Sequence, residues 1–524
     1  MQGVIAAGDV QTAAAGIEIL QRGGNAADAA VAAVFASFAA ESVMTNIGGG
    51  GLAIVGDTQS HQAFVYDFFV NMPSGALSPH IDFHKIVSDY GPEQVPLHIG
   101  RASAATPGLI PGLCALIENH GSLPLKILVA PAIKLAREGV ILSPSQAYVL
   151  DFLAAIYADT PEITTMYFPH GKAWQAGQSH TFPALADSLS QLASEGPAIF
   201  SEGTLAKAIV ADQEAHGGLI TADDLRNYQV RKIAPIQIRY RWADLLLPPM
   251  PSSGGALIAF ALKLIESIDI AAYAHNQHAH MRVLAEIMRL TNVARPVWDA
   301  PVTSESDRLA RFLANDHLAH YRDKLVAILN GAQPPVEPNF PRESDHTTHI
   351  SVIDHRGNFA GITTTAGESA GFVVGETGIC MNNMLGEADL HPQGFHKLTP
   401  GQRLTTMMSP TILLEDGKPR LVLGSGGSSR LRGAILQVIS NVVDFKMPLD
   451  DAVHAPRMHF EEGVLQLEGG ISQSTADSLQ QTGYQINCWP DLNMYFGGTH
   501  AVGIEHDRWT AVGDKRRYGA GITL

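Results

Sequence analysis

Cationic side chains are scarce in this chain: 35 Lys and Arg stand against 51 Asp and Glu, a formal net charge of −16 over 524 residues. Such a surface repels phosphate backbones and anionic lipid headgroups, so neither nucleic acid nor a membrane is an expected partner. Cysteine is scarcer still. Cys114, Cys380 and Cys488 form an odd, scattered set without C-x-x-C spacing, which argues for reduced core thiols and against a disulfide framework or a zinc site. Long apolar runs are missing as well. The strongest, residues 29–40, is twelve residues long and carries Ser37, too short to cross a bilayer. The chain opens without a basic segment followed by an apolar core, so no signal peptide is expected and the expected location is the cytoplasm. No Ser/Gly linker divides the chain, and only a proline-rich stretch at residues 334–341 breaks its composition.

What is present suits a large packed enzyme, since 46% of the residues are hydrophobic and a chain of this length buries a substantial core. Helices are expected at residues 11–21, at 25–40 with Asn25 as N-cap, and at 113–119, 124–138, 257–267, 281–294 and 432–443. Strands are expected at 52–55 and 63–68 around a Gly56-Asp57 turn, and after residue 347 the pattern is mostly strands. Helices flanking antiparallel strands make a layered α+β protein. The four glycines at 48–51 read as a tightly packed turn entering a buried strand. His275, His278 and His280 read as a solvated helix start, with no carboxylate or cysteine nearby to complete a metal site. Asp450 and Asp451 favour a helix N-terminus.

The most informative segment is the transition from Pro334-Pro335-Val336-Glu337-Pro338-Asn339-Phe340-Pro341 to Asp345-His346-Thr347-Thr348-His349-Ile350-Ser351-Val352-Ile353. A cut between His346 and Thr347 would give Thr347, beside its hydroxyl, a free α-amino group with a reference pKa of about 7.7 to 8, which suits a general base. One residue would then hold both nucleophile and base. On these residues alone, a loop entering an ordinary strand stays open, because Thr is a common strand residue. The turn Gly424-Ser425-Gly426-Gly427-Ser428-Ser429-Arg430 lacks the Gly-Lys-Ser/Thr ending of a phosphate-binding loop, so no nucleotide is expected.

Residues 347–365 resemble the start of the small subunit of γ-glutamyltransferases, which are N-terminal-nucleophile (Ntn) hydrolases. Further segments match that family in the same order: residues 23–32, 46–52, 106–108, 251–255, 409–411, 424–430 and 455–459. The resemblance covers nearly the whole chain. It implies a four-layer αββα sandwich, two antiparallel sheets between helical layers, in a single domain over residues 1–524. Autocleavage would divide this into a large segment, 1–346, and a small one, 347–524, held together as an intramolecular heterodimer. A homo-oligomer stays open, and no cofactor or metal is implied.

By the same resemblance, Thr347 attacks an amide carbonyl and forms an acyl-enzyme ester, Thr365 lies near it and assists, and the N–H groups of Gly427 and Ser428 form the oxyanion hole. The acyl pocket departs from the family. γ-Glutamyl enzymes hold the substrate α-carboxylate with an arginine that aligns within residues 71–78, where this chain has none. They hold the α-amino group with polar residues at positions that here read Gly367, Met384 and Glu387, and their serine pair aligns with Thr406 and Met407. Arg101 is a candidate to reach the pocket from another segment and bind a different acid. The expectation is an autoprocessing amidohydrolase acting on a small amide whose acyl part is not γ-glutamyl, as in the family's oxamate-type amidohydrolases and cephalosporin-type acylases. Two alternatives remain: a true γ-glutamyltransferase or glutathione hydrolase with a rearranged clamp, and an uncleaved, catalytically silent homologue serving as a binding protein or scaffold.

Overall fold

The computed structural model describes residues 3–89, 94–300, 302, 304–338, 346–505 and 508–524. Two antiparallel sheets lie face to face. The first has seven strands in the order Ala520–Thr523, Gly3–Ala7, Thr348–Asp354, Phe359–Thr365, Gly50–Asp57, Gln62–Phe68 and Arg231–Ile233. The second has six: Arg508–Val512, Gly498–Glu505, Lys418–Gly426, Thr411–Glu415, Ala243–Leu247 and Ile236–Tyr240.

Period-two side-chain alternation divides each strand between two cores. In the first sheet, Val4, Ala6, Ile54 and Ile353 meet Leu246, Ile412, Val422 and Val502 of the second, forming the layer between sheets. Their neighbours Ile5, Ala53, Ile350 and Val352 face the helices Val10–Gln21, Ala26–Ala40 and Leu125–Glu138. The second sheet turns Leu245, Leu421 and Leu423 toward Ser253–Ile265, His278–Asp299 and Arg430–Val443. This is the expected αββα sandwich. The helix Ala26–Ala40 is buried along its whole length, which explains why its sequence is apolar all round rather than striped. Asn25 caps it in a capping box with Asp28.

The differences from the expectations are local. The hairpin turn lies at residues 58–61 rather than at Gly56-Asp57, because both flanking strands run further than their apolar cores. The helices from Pro144 to Arg226, and those at Glu305–Phe312 and Asn315–Leu329, were not expected; several are short, and their apolar spacing is broken by turns. His280 is buried and His275 shares a hydrogen bond with Asn441, so this helix start is packed rather than solvated. Both rings pack edge-on against Phe445, and burial pushes His280 down to about 3. Among the described residues no group of three His, Cys, Asp or Glu could hold a metal ion, and no helix is long and apolar enough to cross a membrane. Cys380 is buried, but Cys488 is exposed and so is not a core thiol. Asp450 and Asp451 do occupy the first turn of the helix Leu449–His454.

Candidate active site

Strand register brings the threonines together. Thr348 pairs with Thr364 and His349 with Thr363 across an antiparallel hairpin, so continuing the ladder by one residue sets Thr347 opposite Thr365. Both are nearly buried. The Thr365 hydroxyl donates to the carbonyl oxygen of His346 and accepts from the Gly367 N–H at 3.0 Å. That carbonyl belongs to the peptide bond joining His346 to Thr347. The glycine run explains how the next strand comes so close: Thr365 pairs with Gly50, and a Cβ on Gly49 would sit 2.3 Å from the Thr365 carbonyl oxygen.

From the other sheet, the strand Lys418–Gly426 delivers the turn that starts the helix Arg430–Val443. Gly426 touches the Thr347 backbone so closely that an added Cβ would lie 2.2 Å from the Thr347 carbonyl oxygen. Gly427 has φ +115° and Ser428 φ +51°. These left-handed conformations turn the backbone sharply between strand and helix.

A cavity of about 40 Å³ opens here, lined by Thr347, Thr365, Met384, Glu387, Thr406, Met407 and Ser428 among others. Most of the residues singled out from the sequence are thus brought together. Phe69, Asp389, Leu390, Met408 and Leu431 also line it and were not anticipated. Gly367 contributes its N–H to Thr365 rather than a wall. Arg101 is a correction: it is not among the lining residues but pairs with Asp82 and Asp212 and stacks on Phe372. Two carboxylates from other segments fix it there.

Behind Thr347 lies a buried polar cluster that sequence reasoning missed. Glu41 accepts from the Thr12 hydroxyl at 2.7 Å and the Thr348 hydroxyl at 2.5 Å. Burial, reinforced by the neighbouring Asp9 carboxylate, pushes Glu41 up to about 7 against the opposing pull of these hydroxyls and Arg517. Arg517 donates to the Thr347 carbonyl at 3.2 Å and is itself pushed down to about 10 by burial. The one sequence signal was Glu41 itself, a lone acid closing the apolar run. His349 is fully buried between Thr363 and Ser351, each at 2.8 Å, and burial holds its imidazole well below the usual histidine range. The pocket wall at Phe69 is held by Arg403, which binds the Phe69 carbonyl, the Tyr228 hydroxyl and Asp67.

This geometry joins two threonines on one hairpin to a glycine turn from the facing sheet. The Gamma-glutamyltranspeptidase family model matches residues 12–524. The chain belongs to that family. Among the relatives of this γ-glutamyltranspeptidase-family protein, an "Acylase ACY 1 proenzyme" of Pseudomonas sp. (strain V22) is 33% identical over 513 residues, covering 97% of this chain and 90% of that protein. A "Glutathione hydrolase proenzyme" of Escherichia coli (strain K12) is 30% identical over 529 residues, covering 97% and 89%. A crystal structure of cephalosporin acylase from Bacillus halodurans superposes with a TM-score of 0.84 at 23% identity, covering 99% of this chain and 95% of that one, a likeness of fold. The chain is therefore an Ntn-type hydrolase of this family.

Proposed function

We propose that this chain cuts itself between His346 and Thr347 and that the exposed Thr347 then hydrolyses a small amide whose acyl part is not γ-glutamyl. In the first reaction the Thr347 Oγ attacks the His346 carbonyl carbon, and the C–N bond breaks as the Thr347 nitrogen takes a proton, leaving an ester. Water cleaves the ester to a His346 carboxylate and a Thr347 bearing both free hydroxyl and free amine. The same hydroxyl next attacks the substrate carbonyl, the amine leaves protonated, and water resolves the second ester.

The observation that carries this reading is the Thr365 hydroxyl bonded to the His346 carbonyl oxygen while taking the Gly367 N–H. A donor so placed polarises the bond to be cut, and its own acceptor bond strengthens it. Both relatives are named as proenzymes, which supports processing.

For the acyl group, the support is chemical. Met384, Met407 and Met408 line the cavity, no Lys or Arg is among its described lining residues, and Glu387 and Asp389 are. Among these described residues a glutamyl α-carboxylate would be desolvated without a lining counter-ion, a costly burial. One observation favours the glutathione hydrolase alternative: Glu387 offers a carboxylate to an α-ammonium group.

The test is intact mass with N-terminal sequencing. Wild type should yield two fragments, the smaller starting at Thr347, whereas Thr347→Ala should stay one chain. An alanine variant still cut at that bond would assign the cut to an external protease.

A further inference from the structure

Self-cleavage needs more than a nucleophile and a polarising hydroxyl, because the carbonyl that Thr347 attacks must itself be held still. The residue carrying that carbonyl is His346, and it is buried at 1% exposure. Its Nδ1 lies 3.3 Å from Oε1 of Glu368, a carboxylate at 0% exposure. Its ring lies 5.9 Å from that of Phe152. Neither Thr347 nor the acyl cavity needs a carboxylate here, and Glu368 is not among the residues lining that cavity.

Glu368 is in turn fixed by the segment that carries Thr365. Its backbone N–H donates to Asn383 Oδ1 at 2.8 Å, one residue after Gly367 donates to the Thr365 hydroxyl. One short stretch, residues 365–368, therefore grips His346 twice, at the carbonyl oxygen through Thr365 and at the imidazole through Glu368. Two grips on one residue, one on each side of its Cα, fix the orientation of the carbonyl plane. A single hydrogen bond would leave the residue free to turn about it.

We propose that Glu368 is a positioning residue for self-cleavage, acting through the His346 side chain to hold the scissile carbonyl against Thr365. The inference rests on the cleavage reading above. It places the requirement for a buried acid in the precursor, and it makes the identity of residue 346 matter, although that residue supplies no atom to the later amide hydrolysis. Glu368 does not line the acyl cavity, and its contact to His346 is through the imidazole, so its effect belongs to the geometry of the bond.

The experiment follows the first-order appearance of the two fragments in freshly translated full-length chain, for wild type, Glu368→Ala, Glu368→Gln, His346→Ala and the double variant Glu368→Ala/His346→Ala. Loss of this buried hydrogen bond to a carboxyl group should slow cutting by roughly 10- to 100-fold in Glu368→Ala and in His346→Ala. Glu368→Gln keeps an acceptor of the same size and should recover part of that loss. Residues that act as one unit are not additive, so the double variant should be cut about as slowly as either single one. Glu368→Ala cut at the wild-type rate, or rate losses that multiply in the double variant, would overturn the proposal. Should Glu368→Ala fail to fold, Glu368→Gln and His346→Ala carry the test: slowing in both supports it, and unchanged cutting in both overturns it. An uncut wild type would instead sink the cleavage reading itself.

Discussion

Replacing Glu41 by Gln tests the electrostatics behind Thr347. Glu41 is fully buried, its carboxyl is raised from 4.5 to about 7, and desolvation is the largest cause. A carboxyl raised on folding binds more protons in the folded than in the unfolded state. Its contribution to stability is therefore whole below about pH 4.5 and is lost as pH rises through about 7. The shift of about 2.5 units corresponds to about 3 kcal/mol lost between pH 4.5 and 7.5, at roughly 1.4 kcal/mol per unit. Gln has the same size, can still meet both threonine hydroxyls by turning their rotors, and does not titrate. Urea unfolding of wild type and Glu41→Gln, both in the Thr347→Ala background so that a single uncut chain is compared, should show the wild type losing about 3 kcal/mol more over that interval. Asp9, also raised by burial, leaves a residual slope common to both chains. Arg517, at about 10, titrates outside the window. Parallel stability profiles would refute the reasoning, since they would mean that Glu41 keeps an ordinary carboxylate affinity despite its burial.

Other consequences follow from the same geometry. Thr365→Val keeps the shape and removes the donor to the His346 carbonyl, so self-cleavage should slow by roughly a hundredfold with no change in melting temperature beyond a few degrees; cutting at the normal rate would remove Thr365 from the site. Gly427→Ala forces a side chain onto φ +115°, which costs about 1 to 3 kcal/mol and should lower turnover of a folded enzyme; unchanged kcat would show that the turn tolerates movement. A γ-glutamyl anilide should be a poor substrate beside a short amide such as oxamate, and Met384→Gln should improve the glutamyl reaction. Efficient cleavage of glutathione by the unaltered protein would contradict this. Asn at position 367 is a worse repair, because a Cβ there falls 2.1 Å from Glu387 Oε1 and 2.2 Å from Asn383 Oδ1.

Part of the site is visible in the sequence because it is local. Thr347 and Thr365 sit at the two ends of one hairpin, and a short turn at residues 355–358 fixes their register. Gly48, Gly49, Gly51 and Gly426 mark places where backbones approach too closely for a Cβ, a property of the residue type itself. The Arg101 expectation failed for the opposite reason. An arginine's direction depends on which acids the fold brings near, and here Asp82 and Asp212 take it.

The sequence alone determined a layered α+β protein, the helices with clean caps and periodicity, and the strands of the threonine hairpin, because these follow from side-chain alternation and spacing within short windows; the αββα sandwich came from the resemblance of its motifs to the family. Only the tertiary structure decided what surrounds Thr347. Glu41 reaches Thr348 across 307 positions, Arg517 reaches Thr347 across 170, and Arg403 reaches Phe69 across 334. No local pattern encodes such meetings. They arise when helical and sheet layers stack, and the same stacking removes the water that would have kept Glu41 an ordinary acid.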